Sequence, residues 1–349
     1  MSSPSAAQII SALADEISIN AAGALESKCA EDQDLIDTAN LSWTQIPADQ
    51  SHERRRILRD FLYHKLYQPL GNPSDSEVSG SCEDWSGAQT PSHLYRLLQD
   101  HNCGHGYDDS GWEILGLDSG GWLQVRKEGI MLWAHPQEDL APQSQPTEVG
   151  QTVTLRLPKN LLEPGNYIAV GNCGPVSNRQ PTLVREHSRM AIAQFHFNFT
   201  QLLAPRVMEF WTTYLNELGL PFCFSVGFDE FGYSRHDPGI LVVQRCHQET
   251  ILRVLPQYFK SLPERTNPQV PVFTKQIGPG VSYSELPRVP LQSGVQENFH
   301  LHRCHLIAAG LLRAWETLES DIFAAVQDQI QSAGLSLDRF HLDPPNDGD

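Results

Sequence analysis

Charged side chains are distributed unevenly along this chain, and the basic ones are concentrated in its middle. Residues 151–200 contain five Lys and Arg and two Glu, whereas residues 1–50 contain eight acidic residues and one lysine. The formal net charge of the whole chain is −17. A local excess of positive charge in an acidic chain indicates a site for an anion in the middle of the sequence.

A second group of reactive side chains lies near the end of the chain and consists of His300, His302, Cys304 and His305. His300 and Cys304 are four residues apart and would share one face of a helix. Zinc sites usually combine such a group with a second one, for which Cys103 and His105 are the candidates. Because the spacing matches no standard zinc pattern, we predict no metal site.

The common catalytic motifs are absent from the sequence. It contains no phosphate-binding P-loop, no G-x-S-x-G nucleophile motif and no protein-kinase signature, and Gly104-His105-Gly106 is too short for a dinucleotide fingerprint. The negative charge argues against nucleic acid or an anionic membrane as the main partner. No membrane-spanning segment or signal peptide is apparent, and the seven dispersed cysteines indicate reduced thiols. We therefore expect a cytoplasmic protein.

Helical periodicity predicts the elements at both ends of the chain. Apolar residues recur at helical spacing in 5–25, 53–67, 92–101, 201–218 and 248–261. Two further helices are predicted at 298–317 and 319–333. Gly, Ser and Pro dominate 71–91, which predicts a mobile loop, and the Pro/Gly-rich segment 262–290 is expected to cross the surface.

From Gly111 onward the apolar period changes to two, which predicts strands. The predicted strands are 112–117, 122–127, 130–135, 152–157, 167–170, 190–199, 222–228 and 239–244. The pair Glu128-Gly129 predicts a hairpin turn. The large aromatic residues Trp112, Trp122 and Trp133 are expected in the core.

Runs of strands followed by separate helices favour the α+β class, with a central antiparallel or mixed sheet. We predict a helical amino-terminal extension at 1–90, an α+β domain at 91–335 and a disordered tail at 336–349. The candidate lysines, arginines and histidines must then be positioned by strands and by the helix near residue 300.

Several short motifs occur in a fixed order along the chain. They are Gly106-Tyr107 with Gly111-Trp112, Val125–Ile130 with Leu132-Trp133, Leu155–Lys159, Pro164–Tyr167, Tyr233–Asp237, Pro271–Lys275, and Phe299 with His302-Arg303-Cys304. This succession resembles the HopA-type effector and phospho-Ser/Thr lyase family over about residues 90–317. The resemblance implies a HopA-like α+β fold and a cofactor-independent β-elimination of phosphate from a phosphorylated peptide or protein. It also implies a partner kinase that makes the substrate, as in lanthipeptide and thioamitide maturation.

Such a reaction needs cations for the phosphate and a base for the Cα proton. The cations in the matching motifs are Arg156, Lys159, Arg235, Lys275 and Arg303, which we predict to bind phosphate. The predicted acids and bases are Lys127, His196 and His302. Three of them also have a structural interpretation: Lys127 as a solvated hairpin residue, His196 as a hydrogen-bonded core histidine, and Arg235 as an ion-pair partner of Asp237.

One position departs from the family pattern. The strand before the Tyr-x-Arg-x-Asp motif carries Ser225 where the family often has a lysine. A neutral hydroxyl supplies neither a cation nor a useful base. Two functions therefore stay open, namely a phospho-Ser/Thr lyase and a non-catalytic scaffold of the same fold that binds a partner protein.

Overall fold

The fold was analysed in a computed structural model of the chain. It describes residues 4–20, 22–47, 50–67, 93–142, 148–176, 191–228, 231–262, 267–288 and 298–344. The predicted loop at 71–91 therefore lies outside the described residues. Among the described residues, no helix combines the length and apolar character that crossing a bilayer requires.

The described residues form eight α-helices and thirteen strands. The helices are α1 (Ala6–Glu16), α2 (Gln33–Trp43), α3 (Ser51–Tyr67), α4 (His93–His101), α5 (Ala204–Glu217), α6 (Gln248–Ser261), α7 (Phe299–Thr317) and α8 (Ile322–Ser332). The strands are β1 (Ile17–Ile19), β2 (Leu25–Ser27), β3 (Tyr107–Leu117), β4 (Leu123–Lys127), β5 (Ile130–Ala134), β6 (Thr152–Leu157), β7 (Asn160–Glu163), β8 (Asn166–Val170), β9 (Ile192–Phe197), β10 (Phe222–Gly227), β11 (Gly239–Gln244), β12 (Lys275–Gly278) and β13 (Val281–Glu285).

Seven strands form the large sheet in the order β12-β13-β9-β11-β10-β8-β7, and every neighbouring pair is antiparallel. Helices α5 and α6 cover one face. The aromatic side chain of Phe197 packs there against Trp211 and Tyr258, with ring centroids 5.2 and 5.3 Å apart. Side chains alternate along a strand. Because Phe195 and Phe197 lie on the face covered by α5 and α6, His196 between them lies on the opposite face.

Helix α7 covers this opposite face, and the amino-terminal helices pack with it. Residues of α1, α2 and α3 share one hydrophobic core with α7 and α8. The core includes the fully buried Trp43, Leu58, Leu62 and Ile307. The amino-terminal region thus contributes to the same packed body as the large sheet.

Strands β3 to β6 form a separate four-stranded sheet in the order β5-β4-β3-β6, with a small core of its own. Trp112 is buried in that core, as predicted. Trp122 and Trp133, however, are 41% and 55% exposed, so their assignment to the core was wrong. Among the described residues, no helix packs extensively on the small sheet to complete a second layer.

The α+β class with antiparallel sheets is confirmed, although the strands are divided between sheets rather than gathered in a single central one. The segment 262–290 was predicted to cross the surface, but it contains β12 and the fully buried β13. In β13, Val281 and Tyr283 alternate with Ser282 and Ser284, but the pattern is short and the Pro and Gly residues around it favoured a loop.

The prediction of a disordered tail at 336–349 was wrong for residues 336–344, which are ordered. Residues 337–339 form a short 3-10 helix, and Phe340 is buried against Phe273. Residues 345–349 lie outside the described residues.

Candidate functional site

A polar cluster is buried between the large sheet, α3 and α7. Its centre is Asp237, which follows the 3-10 helix Phe231–Ser234 and precedes β11. His196 reaches it from β9, and His300 reaches it from the first turn of α7, whose start is capped by the Asn298 side chain. Three separate segments therefore bring two imidazoles and one carboxylate together.

The distances define a connected network. His300 Nε2 lies 2.9 Å and His196 Nδ1 lies 3.4 Å from the same carboxylate oxygen, Asp237 Oδ2. The other carboxylate oxygen, Oδ1, accepts a 3.0 Å hydrogen bond from Arg235 Nε. His196 Nε2 lies 2.8 Å from the hydroxyl of Ser284 on β13. The predicted ion pair of Arg235 with Asp237 is thus present, and it belongs to a larger cluster.

Electrostatics fix the protonation states of Asp237 and His300. Burial by itself raises the pKa of Asp237, but the imidazole contacts and the charge of Arg235 outweigh it and hold this pKa well below its usual range. Burial lowers the pKa of His300 to about 4 despite the nearby carboxylate. Near neutral pH, Asp237 is therefore ionised and His300 is neutral.

The amino-terminal region closes the cluster. Arg235 Nη1 donates a 3.0 Å hydrogen bond to the hydroxyl of Tyr63 on α3. One turn further on, the ring of Tyr67 packs on His300 with centroids 4.1 Å apart. Neither tyrosine was singled out from the sequence, because nothing in the periodicity of α3 tells which residue will meet a side chain so distant along the chain.

Arg303 and His302 lie on α7 and serve the packing of the carboxyl-terminal segment. The fully buried guanidinium donates to the carbonyl oxygens of Phe340 and Leu342, both at 2.8 Å, and lies 2.7 Å from His302 Nδ1. Burial lowers the pKa of His302 to about 3, and the charge of Arg303 adds to the effect. All three guanidinium nitrogens of Arg303 are therefore engaged within the chain.

Lys275 is exposed on the edge strand β12 and lies close enough to affect His341. Burial, together with the charges of Lys275, Arg339 and Arg303, lowers the pKa of His341 to about 4. Lys275 and Arg303 are thus brought near the same imidazole, whereas Arg235 is held at the Asp237 cluster.

The other predicted residues lie away from this cluster. On the small sheet, Lys127 pairs with Asp109 at 2.5 Å and Arg156 pairs with Asp108 at 3.1 Å. Lys159 donates to two carbonyl oxygens at the end of α4, as lysines near helix carboxyl termini often do.

Ser225 lies in the same row of the large sheet as His196. It pairs with Ile240 in the neighbouring strand, and Ile240 pairs with His196. Directly opposite residues of antiparallel strands point to the same face. Position 225 therefore faces the side that carries His196, about 10 Å away across two strand spacings.

The model of the HopA1 effector protein family matches residues 157–342. This chain belongs to the HopA1 effector protein family. Two solved effector structures cover nearly all of their own length in the comparison. That from Pseudomonas syringae pv. tomato strain DC3000 is 11% identical and covers 85% of this chain and 97% of its own, with a TM-score of 0.43. That from Pseudomonas syringae pv. syringae strain 61 is 12% identical and covers 86% and 99%, also with a TM-score of 0.43. No curated protein matches the chain.

The matched HopA1-family segment contains the whole large sheet and helices α5 to α8. It includes His196, Arg235, Asp237 and His300. Lys127, Arg156 and the tyrosines of α3 lie before it, so this chain adds α3 to the cluster from outside the matched segment.

Proposed function

We propose that this HopA1-family protein binds a partner polypeptide, which adds an extended strand to the free edge of β5. The observation that carries the proposal is the exposure of four consecutive apolar side chains, Ile130, Met131, Leu132 and Trp133, which are 46%, 60%, 36% and 55% exposed. Large contiguous apolar patches are uncommon on protein surfaces that bind nothing.

The backbone of β5 supports the same function. The strand pairs with β4 on one side, and no other described strand pairs with its second side. A free edge offers a row of unpaired N–H and C=O groups to an incoming strand. Successive side chains alternate between the two faces, so an added strand would meet Ile130 and Leu132 on one face and Met131 and Trp133 on the other.

The charges of the small sheet favour apolar recognition rather than recognition of a phosphate. Lys127 and Arg156 are each paired with a carboxylate, and Arg126 is paired with Glu113 at 2.9 Å. A phosphate would have to displace these carboxylates from the basic side chains in order to bind them. We therefore expect a partner segment with alternating apolar residues.

The test selects binders from a short-peptide display library and measures one selected synthetic peptide by fluorescence polarisation. We expect Met131→Asp and Trp133→Asp to weaken binding by at least tenfold. Val149→Asp is the matched control, because Val149 is 65% exposed but lies off β5. An analogue with alternate N-methylated amides should lose binding if the peptide adds as a strand. Undiminished binding by both β5 variants would overturn the proposal.

A second copy of the chain is the competing occupant of this edge. Light scattering of the purified protein distinguishes the two cases. If the wild type is a dimer and Met131→Asp is a monomer, the edge of β5 serves self-association rather than partner binding.

A second candidate function is phospho-Ser/Thr elimination, and the placement of His196 and Arg235 around the same carboxylate, Asp237, favours it. In this reaction Arg235 would bind the phosphate and His196 would take the Cα proton. The electron pair of the Cα–H bond would form the Cα=Cβ bond as the Cβ–O bond breaks and phosphate leaves. A kinase would have to supply the phosphorylated peptide or protein.

Mass spectrometry of a phosphoserine peptide incubated with the protein tests this candidate. Loss of phosphoric acid that disappears in His196→Gln and rises in Ser225→Lys would support it. No loss from the wild type or from Ser225→Lys would contradict it.

A further inference from the structure

We propose that His196, Asp237 and His300 bind one divalent transition-metal ion, with zinc as the preferred metal. One ligand atom from each residue lies within 4.8 Å of the others, and all three residues are buried. Two imidazoles and one carboxylate are a common set of three protein ligands for zinc, leaving a further position open.

An unpaired nitrogen of the cluster, His196 Nδ1, is a second, independent observation. His196 is 1% exposed, yet its Nδ1 has no hydrogen-bond partner among the described residues. This nitrogen faces Asp237 Oδ2 at 3.4 Å. Buried polar atoms without a partner are uncommon in folded proteins and call for a physical explanation. Coordination of a metal by Nδ1 would supply the missing partner.

The spacing of the ligand atoms suits a metal. Two bonds of zinc length meeting at a tetrahedral angle place their ligand atoms about 3.3 Å apart. The measured separations from Asp237 Oδ2 are 3.4 Å to His196 Nδ1 and 2.9 Å to His300 Nε2. The first separation already matches this value, and a small rotation of the His300 imidazole would widen the second to match it.

The surrounding contacts orient the three ligands. His196 Nε2 lies 2.8 Å from the Ser284 hydroxyl, which leaves its Nδ1 free for a metal. Arg235 binds Asp237 Oδ1 and leaves Oδ2 to the imidazoles. Tyr67 packs on the ring of His300. Metal ligands are commonly held by such outer contacts, which fix the ring orientation and select the nitrogen that binds.

A second group of potential ligands in this chain shows the contrast. Glu16, Cys29 and Asp32 also lie close together. There the ammonium of Lys65 already binds both carboxylates, at 3.1 and 2.6 Å. The chain thus supplies its own cation at that group. At the His196 cluster, Arg235 binds Asp237 Oδ1, which leaves Oδ2 and the two imidazoles without a cation from the described residues between them.

The donor types narrow the choice of metal. Imidazole nitrogen suits zinc and iron, whereas magnesium and calcium prefer oxygen ligands only. The inference goes beyond partner binding at β5 and is independent of it. It assigns His196 a ligand role in place of the acid–base role predicted from the sequence.

The experiment measures the metal content of the full-length protein by elemental mass spectrometry after expression with zinc. We expect about one zinc per chain for the wild type. Asp237→Asn and His300→Gln should each lose at least nine-tenths of it. His236→Gln, an exposed neighbour of Asp237, and Glu16→Gln, in the second group, should both retain it.

A second measurement keeps the inference falsifiable if these variants fold poorly. Cobalt is added to the metal-free wild type, and its visible absorption is recorded. We expect intense bands of low-coordinate cobalt that zinc displaces, and a zinc-dependent rise in the thermal midpoint. Absence of bound zinc together with absence of these bands would overturn the inference, as would full zinc retention in a folded His300→Gln protein.

Discussion

The large and the small sheet of this protein differ in which side chains are buried and which are exposed. Around α7, which covers one face of the large sheet, His196, Asp237 and Arg303 are buried and most of their polar atoms are satisfied within the chain. On the small sheet, strand β5 leaves apolar side chains exposed on both of its faces. The buried polar groups are expected to determine stability, whereas the exposed apolar groups are expected to determine binding.

The largest effect should come from removing the centre of the buried cluster. Asp237→Ala leaves the half-buried charge of Arg235 without its carboxylate and should cost about 3–5 kcal/mol of unfolding free energy. Urea denaturation in the presence of a chelator measures it. The control is Glu113→Ala, whose ion pair with Arg126 joins two exposed side chains and is expected to contribute about 0.5 kcal/mol. Equal costs for the two variants would contradict the stabilising role of the cluster.

Acid should destabilise the protein through its buried histidines. The folded-state pKa of His300 is about 4 and that of His302 is about 3, both below the value of an unfolded histidine. Between these values and pH 6.5 the unfolded state binds more protons, so stability falls as the pH falls. The limiting slope is about 1.4 kcal/mol per pH unit for each histidine that stays neutral.

Urea unfolding at several pH values between 7 and 4, with a chelator present, measures this slope. The lowered pKa of Asp237 also destabilises the protein in acid, but its contribution is intact throughout this pH range and is lost only below the ordinary carboxyl value of 3.8. Replacing His300 with Gln should make the dependence shallower. Stability that stays constant or rises on acidification would be inconsistent with neutral buried histidines.

The small sheet should show a sharp difference between adjacent strands. Leu132 on β5 is exposed, whereas Val125, its partner on β4, is fully buried. Val125→Asp should cost several kcal/mol because it buries a charge, about 3 kcal/mol or more. Leu132→Asp should change stability by no more than about 0.5 kcal/mol. Thermal unfolding of the two variants checks this, and a large loss in Leu132→Asp would mean that β5 is covered.

The smallest effects are expected for the cations of the small sheet. Arg156 and Asp108 are both more than one-third exposed, so Arg156→Gln should cost less than about 1 kcal/mol. We also expect it to leave peptide binding at β5 unchanged. A large loss of binding would show that this cation, rather than the apolar edge, recognises the partner.

Periodicity predicted the regular elements of the fold well. Helix α6 has the predicted bounds, and α3 begins two residues before the predicted start. Strand β13 was missed because its alternation of Val281 and Tyr283 with serines is short, and Pro and Gly residues surround it. Burial by a neighbouring helix determined this strand, and local propensity alone does not report such burial.

The candidate site was only partly predictable. The family resemblance pointed to Arg235 and Arg303, whereas His196 was identified from its place on a strand, where alternation with Phe195 and Phe197 indicated that it is turned away from the aromatic core. Convergence of His196 with Asp237 and His300 depends on the antiparallel register of β9 with β11 and on how α7 crosses the sheet. Neither is encoded in the spacing of the residues.

The most direct test of the account compares one β5-binding peptide in its serine and phosphoserine forms. Fluorescence polarisation is measured with the wild type, Met131→Asp and Arg235→Gln. We predict equal affinity for the two forms, at least tenfold weaker binding by Met131→Asp and unchanged binding by Arg235→Gln. A phosphoserine preference of tenfold or more that Arg235→Gln removes would contradict the account and favour the phosphate-directed function.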